Sequence, residues 1–191
     1  MNQNSGGVYV HVPFCVRKCS YCDFISYPAS DNIQVMEGYL SSVLDELRLR
    51  KTELEQIRPI TTLYVGGGTP TCVPWQKLAP FVSTLIAEVE KINATYGGFD
   101  SADLETTVEA NPGTVDPRGL AALRQSGVNR LSLGFQSLDA RELASLGRVH
   151  SPEDCLRAYE WAREAGFDNV SVDLILGAPG QTGQSLAQTL D

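Results

Sequence analysis

The sequence has no surplus of positive charge, no apolar run long enough to span a bilayer, no disulfide framework and no internal repeat. Fifteen Lys and Arg against 23 Asp and Glu leave a formal net charge of −8. With no Lys/Arg-rich cluster to offset that balance, a nucleic-acid surface is excluded as the leading reading. An acidic, solvated surface that aids solubility is the expectation. Without an apolar stretch near membrane-spanning length, a transmembrane helix is not expected. Met1 to Gly7 is polar and glycine-rich, lacking the charged and apolar regions of a secretion signal. The five cysteines are odd in number and three are clustered, which argues against disulfide pairing and for a reducing cytosol. The absence of self-similarity at a fixed period excludes a solenoid or a propeller.

What is present is enough chain for one domain with a real core: 191 residues, 42% of them hydrophobic. The stretch Tyr9 to Phe24 dominates the reading. Cys15, Cys19 and Cys22 fall within eight residues, separated by three and then two. They directly follow a β-like run that ends at Pro13. Thiolates are soft ligands suited to zinc and to iron–sulfur clusters, and such clusters usually take four cysteines. Three would leave one iron open to an exchangeable ligand. The alternative is a structural zinc site closed by Cys72 or His11, since zinc wants four ligands. Arg17 and Lys18 favour the thiolate form. Cys72 and Cys155 read as small apolar packing groups. His11 reads as strand packing beside the loop and His150 as a loop residue, both being haem ligands only in principle.

Along the chain, strand and helix signals alternate. Strands are expected at Val8–Val12, Ile60–Val65, Leu104–Ala110, Arg130–Phe135 and Val170–Leu176. A helix with one buried face is expected over Ile33–Ile57, with capping oxygens on Ser30, Asp31 and Asn32. Two helical pieces opened by Pro74 and Pro80 follow, the second reaching Asn93, then a glycine-containing loop over Tyr96–Ala102. Pro117 opens a short helix that Gly127 ends. Asp139 and Pro152 start two more, the latter carrying Cys155, Tyr159 and Ala162 on one side. A last helical pattern begins near Gln184. This alternation predicts an α/β fold with a parallel sheet, because each crossover must carry the chain back across it.

The unusual residues share one address. Cys15, Gly67, Glu109, Gln136 and Asp173 all lie at or just past the C-terminal ends of predicted strands. In a β/α barrel that is the face where active sites assemble. Glycines after the second strand let backbone N–H groups approach a ligand closely. Each residue also has a plain structural reading: a turn acceptor for Glu109, surface groups for Gln136 and Arg148, a loop cap for Asp173.

The motif CxxxCxxC, preceded by YxHxPFC and followed by an aromatic residue, resembles the radical S-adenosylmethionine (SAM) superfamily. Within it, the chain is most similar to the oxygen-independent coproporphyrinogen III oxidase-like family and its haem chaperone HemW branch. The resemblance implies a partial parallel (β/α) barrel and a 4Fe-4S cluster on Cys15, Cys19 and Cys22. The open iron would be chelated by the amino and carboxylate groups of SAM, which is cleaved to a 5′-deoxyadenosyl radical. It also implies a SAM site. Gly67, Gly68 and Thr69 match its GGGTP motif and Glu109 its ExNPG motif. Gln136, Arg148 and Asp173 match further motifs, and Tyr9 and Tyr21 complete the set. These motifs run from Val8 to Thr182. Against such a family the chain is expected to be a core domain over 1–191, truncated after the fifth strand, with a sixth β/α unit and a C-terminal domain lacking.

Two departures bear on the branch. Phe24 stands where the oxidase usually has a further cysteine, and Cys15 lies close to the N-terminus. Both favour a haem chaperone that binds haem and passes it to an acceptor protein. The other readings are the oxidase, which decarboxylates propionates, and a zinc-stabilised module.

Overall fold

Five β-branched or aromatic runs, each separated from the next by helix, form one sheet whose strands all run parallel. The structure is a computed structural model that describes residues 5–29, 33–94, 100 and 103–191. Its strands are β1 (Gly6–Val12), β4 (Ile60–Gly67), β5 (Glu105–Ala110), β6 (Arg130–Gln136) and β7 (Asn169–Leu174), hydrogen-bonded in that order. The two remaining strands, β2 (Phe14–Cys15) and β3 (Tyr27–Pro28), pair with each other in parallel across the cysteine loop. That pairing has no signal in the sequence, because two-residue strands carry no periodicity.

The helices are α1 (Ile33–Leu49), α2 (Lys51–Leu54), α3 (Trp75–Asn93), α4 (Pro117–Gln125), α5 (Ala140–Ser145), α6 (Pro152–Glu164) and α7 (Gly183–Leu190). Helices α1, α3, α4 and α6 pack in succession, each against the next. Together they bury one face of the sheet. Its contribution alternates as a half-buried strand should: Val10 and Val12, Leu63 and Val65, Val108, Leu131 and Leu133 are all at or below 5% exposure. Each such side chain contributes about 1.5–3 kcal/mol by burial, which is what lets the opposite face be polar. That other face carries Tyr9, Tyr64, Glu109, Arg130, Ser132, Ser171 and Asp173, joined by hydrogen bonds and a ring stack across neighbouring strands.

Three expectations are corrected. The helix expected to reach Ile57 stops at Leu49 and resumes for one turn as α2. Pro80 does not open a second helix but lies inside α3, where it costs about 3 kcal/mol in a lost bond and a clash. The continuous stripe of Leu78, Phe81, Val82, Leu85, Val89 and Ile92, all buried, offsets that cost and carries the helix through. Tyr159 does not share the inner side of α6; Cys155 and Ala162 are fully buried while Tyr159 is exposed. The expected caps Ser30, Asp31 and Asn32 lie outside the described residues, as does most of the loop over 96–102.

Pro117 and Pro152 open helices as expected. Asp116 caps α4 by accepting from the Gly119 N–H, and Ser151 and Asp154 form a reciprocal capping box on α6. Gly127 turns the chain after α4 with φ +102.

Candidate cofactor site

All the residues that end strands or follow them open onto one cavity of about 480 Å³ at the C-terminal edge of the sheet. Its walls come from the loops after β1, β4, β5, β6 and β7, which is why residues far apart in sequence meet there. Cys15, Cys19 and Cys22 line it, with Tyr21 between the latter two. Opposite stand Gly67, Gly68 and Thr69. Glu109, Gln136, Arg148 and Asp173 complete the wall. Tyr9 does not line it. Its ring stacks on Tyr64 with centroids 6.0 Å apart, and its hydroxyl lies 3.0 Å from His11 Nδ1.

The cysteine loop is tied down at both ends. The Tyr27 and Ala29 N–H groups donate to the Pro13 and Cys15 carbonyls at 2.7 and 2.6 Å. At its far side the Ser20 N–H donates to the Leu146 carbonyl at 3.3 Å, so the end of α5 serves as its platform. Among the described residues no three His, Cys, Asp or Glu side chains converge tightly enough to share one metal ion. His11, a candidate fourth zinc ligand, has both nitrogens engaged, Nδ1 with Tyr9 and Nε2 with the Ile25 carbonyl at 2.8 Å. Burial pushes the Cys72 thiol up to about 11, so it stays protonated beside Cys15.

The glycine stretch departs from expectation in one respect. Its N–H groups are not free for a ligand: Gly67 donates to Glu109 Oε2 at 3.0 Å, Gly68 to the Val12 carbonyl at 2.9 Å, and Thr69 to the Phe14 carbonyl at 2.6 Å. Close approach is nonetheless the reason for glycine. A Cβ on Gly68 would stand 2.7 Å from the Phe14 carbonyl and 3.0 Å from Cys15 Sγ. Thr69 Oγ1 lies 3.6 Å from Cys15 Sγ.

Arg148 spans the cavity floor. Nη2 donates to the Gly134 carbonyl at 2.6 Å, and Nη1 reaches Cys19 Sγ at 3.7 Å and the Tyr21 hydroxyl at 3.4 Å. Its buried Nε has no hydrogen-bond partner among the described residues. Gln136 sits at φ +72, a left-handed conformation unusual for a residue with a Cβ, at a bulge where β6 meets β7. Asp173 accepts from Ser132 Oγ at 3.0 Å.

Sequence reading missed Tyr64 and Ser132, which hold Glu109 and Asp173 from beneath. Both lie inside strands, where tyrosine and serine raise no flag. It assigned His150 only to a loop. The ring is in fact buried, with Nε2–H donating to the Phe135 carbonyl at 3.1 Å and Nδ1 3.0 Å from Asn111 Oδ1. It sits between the turn after β5 and the end of β6.

A parallel β/α sheet with a three-cysteine loop after its first strand and a glycine cradle on the strand beside it, both on one cavity, defines a protein of the partial β/α-barrel class with a candidate cofactor site at the strand ends. The chain belongs to the radical SAM superfamily, whose sequence pattern matches residues 9–191. It is 39% identical over 186 residues to the heme chaperone HemW of Mycobacterium tuberculosis, covering 97% of this chain and 45% of that protein. Against the HemW of Bacillus subtilis the identity is 37%, covering 96% and 45%. Among solved structures it is similar to the coproporphyrinogen III oxidase HemN of Escherichia coli, with a TM-score of 0.73 and 29% identity over 97% of this chain and 40% of that one. The chain therefore spans a little under half the length of the relatives it matches.

The site fits the cofactors of its family on structural grounds. A cube-shaped cluster takes each thiolate at a separate corner, so cysteines spread around one wall suit it better than they suit a single tetrahedral ion. Arg148 and the glycine cradle line the same cavity as the three cysteines.

Proposed function

We propose that this chain is the cofactor-binding part of a HemW-like haem chaperone: it holds a 4Fe-4S cluster on Cys15, Cys19 and Cys22 and SAM beside it, and the protein passes haem to an acceptor. The observation that carries this reading is the single cavity shared by the three cysteines, the glycine cradle and the polar strand ends. When bound, the cluster supplies an electron to the sulfonium of SAM. The protein's own task is to bind, orient and exclude water.

Each residue's chemistry matches a part of SAM. The N–H groups of Gly67, Gly68 and Thr69 are occupied, so the stretch offers carbonyl acceptors, which suit an ammonium. Glu109 adds negative charge on the same side. Arg148, planar and always charged, suits a carboxylate. Gln136 and Asp173 offer hydrogen-bonding groups to ribose hydroxyls, and Tyr21 a ring to pack against the cofactor. A cytoplasmic location would keep the three thiols reduced. Among the described residues no helix is long and apolar enough to cross a membrane.

A second reading, oxygen-independent coproporphyrinogen III oxidase, is favoured by the likeness to HemN. The higher identity to HemW proteins and Phe24 in place of a cysteine favour the chaperone. Anaerobic reconstitution with iron and sulfide, followed by haem titration and a coproporphyrinogen assay, tests both. Haem binding without coproporphyrinogen turnover supports the chaperone. Turnover of coproporphyrinogen would replace it with the oxidase, and zinc without sulfide would remove both.

A further inference from the structure

Glu109 is gripped at both oxygens from the neighbouring strand. The Tyr64 hydroxyl donates to Oε1 at 2.8 Å and the Gly67 N–H to Oε2 at 3.0 Å. A carboxylate held by two donors on one side presents its remaining lone pairs in one direction, here along the cavity wall. The arrangement depends on residue 66 having no side chain. A Cβ on Gly66 would stand 2.8 Å from Glu109 Cδ and 2.9 Å from Tyr64 Cε1, displacing both partners.

The Tyr64 ring is itself fixed. Tyr9 stacks on it at 27° between planes, and Tyr9 is pinned through His11 to the Ile25 carbonyl at the end of the cysteine loop. A run of contacts thus leads from the loop that carries Cys15, Cys19 and Cys22 to the carboxylate on β5. Burial, reinforced by the Glu109 charge, holds the Tyr64 hydroxyl well above the usual phenol range, so it remains a donor at any physiological pH.

We infer that Tyr64 is a positioning residue for cofactor binding: its hydroxyl fixes the Glu109 carboxylate in the orientation that meets SAM, and Tyr9 acts through the Tyr64 ring. The inference rests on the reading of Glu109 as a SAM contact. A hydrogen bond from a neutral donor to a carboxylate is among the stronger ones, and without it the carboxylate is free to rotate about its side-chain torsions.

The test is a double-mutant cycle on the anaerobically reconstituted protein, read as SAM affinity by equilibrium dialysis with iron content and melting temperature measured on the same samples. Tyr64→Phe keeps the ring stacked on Tyr9 and removes only the hydroxyl. It should weaken SAM binding about tenfold while leaving iron content unchanged. In a Glu109→Ala background, which leaves the hydroxyl no acceptor at that position, the same change should cost nothing further, a coupling that a merely structural tyrosine would not show. Unchanged affinity in Tyr64→Phe, or a loss of equal size in both backgrounds, would overturn the inference while leaving Glu109 in the site. Unchanged affinity in Glu109→Ala alone would instead remove Glu109 from the SAM site, and the role of Tyr64 with it.

Discussion

Arg148 Nη1 stands 3.7 Å from Cys19 Sγ, 129 residues away in the chain, while Nη2 of the same guanidinium donates to the Gly134 carbonyl. One planar group thereby joins the cysteine loop to the end of β6. Charge-assisted bonds of this kind contribute about 1.5–3 kcal/mol. Arg148→Met, similar in length but uncharged, should release the loop: iron loss to a chelator from the reconstituted protein should accelerate about tenfold or more. A rate equal to that of the unsubstituted protein would show that the contact holds nothing.

The five thiols should separate into two classes. Replacing Cys15, Cys19 or Cys22 by Ala should each abolish cluster assembly, read as iron and acid-labile sulfide per chain. Cys72→Ala and Cys155→Ala should assemble normally. Burial drives these two thiols up to about 11 and about 12, so neither offers a thiolate at neutral pH. Loss of the cluster in Cys72→Ala would make it a ligand and revive a four-sulfur site.

What the sequence made legible was the address of the site more than its construction. Strand ends carrying Cys15, Gly67, Glu109, Gln136 and Asp173 could be found because glycine runs, a proline turn and charged residues interrupt apolar patterns there. The parallel order followed from the strand–helix alternation. The supports of the site could not be read this way. Tyr64 and Ser132 look like ordinary strand residues, and only the registers that set Tyr64 opposite Thr107 and Ser132 opposite Ser171, each two residues before the partner, bring them under Glu109 and Asp173. The occupied N–H groups of the glycine stretch depend on β1 and β5 lying on either side of β4, long-range pairings that no local pattern reports.

His150 predicts a pH dependence of stability. Burial, helped by the nearby Arg148 charge, lowers its pKa from the ordinary 6.5. The unfolded chain therefore binds a proton more readily than the folded one. The stability contributed by the neutral ring is fully present above about pH 6.5 and is lost as pH falls through the lower folded value. Urea titrations at pH 7.5 and pH 5 should show a drop that His150→Gln reduces. An equal drop in both proteins would assign the acid sensitivity elsewhere.

In the proposed SAM site, Gln136 sets stability against binding at a single backbone position. Its φ of +72 is costly for a residue with a Cβ, by about 1–2 kcal/mol. The bulge between Gly134 and Gln136 imposes that conformation, and it aims the side chain into the cavity. Gln136→Gly would remove the steric cost while adding backbone freedom to the unfolded chain, worth about 0.5–1 kcal/mol in the opposite direction. The net expectation is a gain of up to about 1.5 kcal/mol in urea unfolding together with weaker SAM binding by the reconstituted protein. Strain held at a binding residue and tolerated because surrounding structure enforces it is characteristic of functional positions. A glycine variant that is more stable and binds SAM undiminished would show that the left-handed turn serves the fold alone. One that is less stable would show that the side chain contributes packing that outweighs the strain.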